Sequence, residues 1–174
     1  MKNALILIVA AFLLASCTPT SDKKADKTEA SDSSSAVVLT FRSDTISNVY
    51  KQYITLKNAL VNSNQKSASV AGENLSKSLQ MIDGCGITAN LAKNIQASSD
   101  LKTQRLQFIA LSSDLVALMK HAEISSGSIF VDYCPMINSA KGGYWLASEK
   151  KIQNPYYGKQ MMTCGEVKQE IKSN

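Results

Sequence analysis

The chain has 174 residues, with 19 Lys and Arg against 14 Asp and Glu, a formal charge of +5 spread along its length. So diffuse an excess, without an RNA- or DNA-binding motif, argues against a nucleic-acid ligand. A single histidine, and the lack of any nucleophile-elbow, Walker, zinc-protease or dinucleotide-loop motif, argue against an enzyme.

Lys2 is followed by an uninterrupted apolar run over residues 4–14 and then by Leu14-Ala15-Ser16-Cys17. The run is too short to span a bilayer, which needs roughly 20 apolar residues. A positive start, an apolar middle and small residues at the end predict a secretory signal peptide over residues 1–16. The ending resembles a bacterial lipobox. That resemblance implies cleavage before Cys17 and lipidation of it, hence a membrane anchor in the cell envelope, most naturally on the periplasmic side. From Cys17 to residue 36 the composition is nearly all Ser, Thr, Asp, Lys and Ala. With no large apolar residue this stretch cannot offset the entropy of ordering it, and it reads as a disordered linker. Residues 37–174 are then one domain, long enough for its own core.

The first half of that domain is helical in pattern. Ile46, Val49, Tyr50, Tyr53, Ile54, Leu56, Leu60 and Val61 recur at three and four residues, behind a cap at Ser43 or Asp44. A second stripe of Ala68, Ala71, Leu75, Leu79 and Ile82 stops at Asp83-Gly84-Cys85-Gly86. Ile87, Leu91 and Ile95 read as its broken continuation. A long helix over about residues 100–121 presents Phe108, Leu111, Leu115, Leu118, Met119 and Ala122. Short connections between long helices favour an antiparallel bundle of three to four helices.

The character changes at Ser125. Residues 129–133 (IFVDY) predict a short strand, residues 138–143 a turn, and Tyr144-Trp145-Leu146 a partner strand. Asn154-Pro155-Tyr156-Tyr157-Gly158 reads as a turn with aromatic walls, and Glu166 to Lys172 as a short closing helix. The fold class expected is mainly α: a helical bundle with a small C-terminal β/loop subdomain. Trp145, Tyr144, Tyr156 and Tyr157 are expected to pack that subdomain on the bundle.

The same region carries Cys134-Pro135-Met136 and Met161-Met162-Thr163-Cys164-Gly165. Thiolate and thioether are soft donors that suit Cu(I), and thiolate also suits zinc. The spacing is not that of a zinc finger. Cys134, Met136, Cys164 and one of Met161 or Met162 would form a soft-metal set, with His121 as an outside candidate. The alternative is a Cys134–Cys164 disulfide, at home in an oxidising compartment, with the methionines as gap fillers. With Cys17 lipidated, three of the four cysteines remain, so one is left over. Cys85, between two glycines, is a free thiol or another disulfide partner.

Cys134-Pro135-Met136, Trp145-Leu146, Ile152-Gln153-Asn154-Pro155-Tyr156-Tyr157-Gly158 and the segment from Met161 to Gly165 resemble the pattern of domain-of-unknown-function family 3347. The helical half fits that family through its apolar pattern. Such domains occur as small exported proteins and at the ends of periplasmic adaptor subunits of heavy-metal efflux pumps. The resemblance implies an envelope protein linked to metal efflux or copper handling, with an efflux adaptor or pump as partner. Two functions are therefore expected. One is a membrane-tethered module that binds Cu(I) and passes it on by ligand exchange. The other is a structural or interaction lipoprotein closed by a permanent Cys134–Cys164 disulfide.

Overall fold

The computed structural model describes residues 38–173. The expected signal peptide (1–16), the lipidated Cys17 and the linker up to residue 36 lie outside the described residues.

Among the described residues four long helices fill the first half, three of them started by a side-chain cap. Ser43 Oγ accepts the N–H of Ile46 and opens α1 (Asp44–Val61). Asn64 Oδ1 accepts the N–H of Ser67 and opens α2 (Gln65–Leu79). Asp100 Oδ1 accepts the N–H of Thr103 and opens α4 (Leu101–Lys120). Each bond satisfies an amide that the first helical turn leaves unpaired. α3 (Gly86–Ala97) has no such cap. It is a helix in its own right and not a broken continuation of α2. Its buried face is Ala89, Ala92 and Ile95, while Ile87 is 79% exposed. The small residues let two helices approach closely. A Cβ on Gly72 of α2 would lie 2.9 Å from the carbonyl oxygen of Ala92.

Successive helices pack on one another, α1 on α2, α2 on α3 and α3 on α4. Val49, Tyr53, Leu56 and Leu60 of α1, Leu75 and Leu79 of α2, and Phe108, Leu111, Leu115 and Met119 of α4 are fully enclosed. The remaining face of α4 meets a small sheet. In it β3 (Ser128–Cys134) lies between β4 (Gly143–Ala147) and β5 (Glu166–Lys172), antiparallel to both. A separate two-stranded ribbon joins β1 (Thr40–Phe41) to β2 (Ile124–Ser126). The fold is mainly α with a C-terminal β subdomain.

β5 corrects the expectation of a closing helix. Val167 and Ile171 are four apart, a spacing that keeps residues on one face of a helix and also on one face of a strand. The open side of β3 decides between them. Ile129 pairs with Ile171 and Asp132 with Val167, giving the backbone groups of β3 a second partner. β5 is an edge strand and carries Glu166, Lys168, Glu170 and Lys172, paired as Lys168–Glu166 and Lys172–Glu170.

Between β3 and β4 the chain makes one turn of left-handed helix within α5 (Ile137–Ala140). Asn138, Ser139 and Ala140 have φ of 54°, 55° and 64°.

Candidate functional site

The two sulfur-bearing segments meet. Cys134, the last residue of β3 and fully buried, is disulfide-bonded to the half-buried Cys164, with Cα atoms 5.9 Å apart and a sequence separation of 30. Cys85, half-buried ahead of α3, has no disulfide partner among the described residues.

Asn154 builds this corner. It is fully buried, and each of its polar atoms is used. Its Nδ2 donates to the Cys164 carbonyl at 2.7 Å and its backbone N–H to the Met162 carbonyl at 2.9 Å. Its Oδ1 accepts the N–H groups of Tyr156 and Tyr157, and its carbonyl accepts that of Gly158. The Tyr157 hydroxyl donates to the Met136 carbonyl at 2.8 Å, so the turn at residues 154–158 holds both cysteine-bearing strands of chain. Gly165 completes the bend at φ 141°. A Cβ there would come within 2.7 Å of the Trp145 ring.

Aromatic rings fasten the corner to the helices. Trp145 stands edge-on to Tyr156 at 5.8 Å, Tyr156 meets Phe108 at 5.7 Å, and Phe108 stacks on Tyr53 at 5.3 Å. The Tyr53 hydroxyl also accepts the Leu146 N–H and shares a 2.7 Å bond with Ser112. Tyr144 differs: it is 45% exposed and lies against Tyr133.

The remaining candidates are dispersed. Met136 is 55% exposed, while Met161 and Met162 are half-buried beside Cys164 in the chain. Met119 is core. His121 caps the end of α4 and is exposed, in a groove with Val131, Tyr144 and Lys168 that includes no disulfide residue. Among the described residues no three His, Cys, Asp or Glu side chains are grouped as metal ligands. With its sulfurs bonded to each other, the corner offers no thiolate, and this oxidised form does not fit Cu(I).

A buried polar cluster went unnoticed in the sequence. Lys57, in the middle of α1, is fully enclosed and donates to Glu149 Oε1 at 2.8 Å. Asp132 in β3 is also fully enclosed, and neither of its oxygens has a hydrogen-bond partner among the described residues. Burial pushes its pKa up to about 7; Lys57 pulls the other way and Glu149 adds to the rise. Burial opposes ionisation of Glu149 too, but hydrogen bonds from Lys57 and Ser148 hold it below the usual carboxylate range. Burial also raises Tyr50 and Tyr53 well above the ordinary phenol value. The signal for Lys57 was its position. It lies seven residues after Tyr50, four after Tyr53 and three before Leu60, on the apolar stripe itself.

Residues 49–127 match the family model described as Protein of unknown function (DUF3347). The match covers most of α1, all of α2 to α4 and the ribbon strand β2; it ends before Cys134. No curated protein matches the chain, and no solved structure does.

Proposed function

We propose, for a chain that belongs through residues 49–127 to the DUF3347 family, a non-enzymatic binding module of the cell envelope, tethered by lipid on Cys17 and closed by a permanent disulfide. One observation carries this reading: the Cys134–Cys164 bridge, with Cys134 fully buried and the Cys164 loop held by Asn154. Such a bridge resists reduction and fixes the subdomain on the helices. The work is then docking, with the helical face as the natural surface and an efflux adaptor as the partner consistent with the family. Thiol counting on the chain taken from its own compartment tests it. Under denaturing, non-reducing conditions Cys85 alone should react with a thiol probe, before and after mild reductant. A reactive Cys134 or Cys164 in that protein would refute a permanent bridge.

One arrangement favours a second reading, in which the reduced corner holds Cu(I). Met136, Met161 and Met162 each lie within three residues of a bridged cysteine, so reduction would yield two thiols amid thioethers. Cys134, Cys164, Met136 and one of Met161 or Met162 would be the ligands, and transfer would proceed by ligand exchange. Competition between a Cu(I) chelator and the reduced chain decides it. Affinity should drop by about a hundredfold or more when both cysteines are changed to Ser, about 2.7 kcal/mol. Equal affinity of parent and variant excludes the site.

A further inference from the structure

Beside the disulfide corner, against α4, lies an open cavity of about 430 Å³, within the roughly 300–1,000 Å³ typical of small-molecule sites. Leu106, Ile109, Ile137 and Tyr156 form its apolar wall; Lys102 and Arg105 bring charge. Lys102 and Ile109 each lie three or four residues from both Arg105 and Leu106, so one face of α4 presents them together. Among the described residues no Asp or Glu lines the cavity.

Arg105 is fixed in place. Its Nε donates to the Pro155 carbonyl at 2.9 Å, and its Nη2 donates to the Leu60 carbonyl and Ser63 Oγ, both at 3.0 Å. Among the described residues Nη1 has no hydrogen bond and Lys102 has no ion pair. The guanidinium is partly desolvated, which lowers its pKa. A cation held this rigidly, half out of water and without an anion, is prepared for one: little ordering entropy is lost when a ligand arrives.

We propose that this cavity binds a small amphipathic carboxylate. Its two oxygens bond to Arg105 Nη1 and to Lys102, and its aliphatic or aromatic group lies against Leu106, Ile109 and Ile137. Two single donors suit one carboxylate. An inorganic phosphate would leave the apolar wall unfilled. The carboxylate has two sources, a free organic acid or the C-terminal residue of a peptide. The site uses neither the disulfide sulfurs nor the methionines, so it stands whether or not the reduced corner holds metal.

Titration calorimetry on the full-length, disulfide-bonded chain tests the proposal, with phenylacetate and a tripeptide ending in Phe as probes and their amides as controls. At least one acid should bind with a Kd below about 1 mM, and its amide about tenfold or more weaker. Binding of phenylacetate alone assigns a free acid; binding of the peptide alone assigns a chain terminus. Lys102→Ala, at an exposed side chain with no ion pair, should weaken binding about tenfold while leaving thermal stability unchanged. No binding by either acid at about 10 mM, equal binding of acid and amide, or no change in Lys102→Ala would overturn it.

Discussion

Lys57 Nζ lies 2.8 Å from Glu149 Oε1, an ion pair that joins the middle of α1 to the chain just after β4 across 92 residues. The two ends are unequal: the lysine side chain is 0% exposed and the glutamate 33%. Losing the carboxylate leaves an enclosed ammonium with only the buried Asp132 to answer its charge, while losing the ammonium leaves a carboxylate that can reach water. Glu149→Ala is therefore expected to cost about 3 kcal/mol, and Lys57→Met, which refills the space with apolar atoms, about 1 kcal/mol. Urea unfolding at neutral pH measures both. Equal losses would mean that the asymmetry of burial does not govern the pair.

Asp132 makes stability depend on pH with a definite sign. Its pKa rises from 3.8 to about 7 on folding, so between those values the folded state binds more proton than the unfolded one. Stability from this residue is full below about pH 4 and is lost as pH rises toward 7. Asp132→Asn cannot ionise and lacks that loss. Relative to the parent, the variant should gain stability between pH 4.5 and 7.5, read as a widening difference in urea midpoints. A constant difference across that range would show that Asp132 keeps its ordinary pKa.

The disulfide closes a loop of 30 residues, and restricting the unfolded chain that way is worth about 3–4 kcal/mol. The double change Cys134→Ala and Cys164→Ala should lose that amount. Reductant should lower the melting temperature of the parent and leave that of the double variant unchanged.

The left-handed turn yields a sign test. Ala140 has φ of 64° and is exposed, a conformation that costs an L-residue about 1–2 kcal/mol and glycine almost nothing. Ala140→Gly should be neutral or stabilising by up to about 1 kcal/mol. Ala110→Gly, on the exposed face of α4, should lose about 1 kcal/mol. Thermal melts of the two single variants compare them directly.

Much of this was readable from residue spacing. The helices were legible because apolar residues recur at three and four and because Ser43 and Asp100 stand where caps belong. β3 and β4 were legible as short β-rich runs between turn signals. β5 was not, since Val167 and Ile171 satisfy both periodicities and only the open side of β3, a tertiary fact, chooses. Ile87 looked buried because it begins an apolar spacing; the close approach of α2 at Gly72 instead turns the small Ala89 and Ala92 inward. The sulfur corner was half legible. The sequence could bring Cys134 and Cys164 near each other, but with three cysteines available, pairing depends on three-dimensional distance. Lys57 and Asp132 were missed because the reading follows the apolar pattern alone: the α1 stripe omits Lys57, and Asp132 counts only as part of a strand. Lys57 has its partner 92 residues away, beyond the reach of local patterns, and Asp132 has no hydrogen-bond partner among the described residues to signal it.

The outer edge of β5 has a bearing on crowded settings. A bare strand edge invites a neighbouring copy to add its own strand, and two such molecules held side by side would zip into an aggregate. Here that margin bears Glu166, Lys168, Glu170 and Lys172 in alternating sign. A second molecule approaching in the wrong register meets like charge, and one in the right register must first break the Lys168–Glu166 and Lys172–Glu170 pairs. The margin thus repels self-association at high local density.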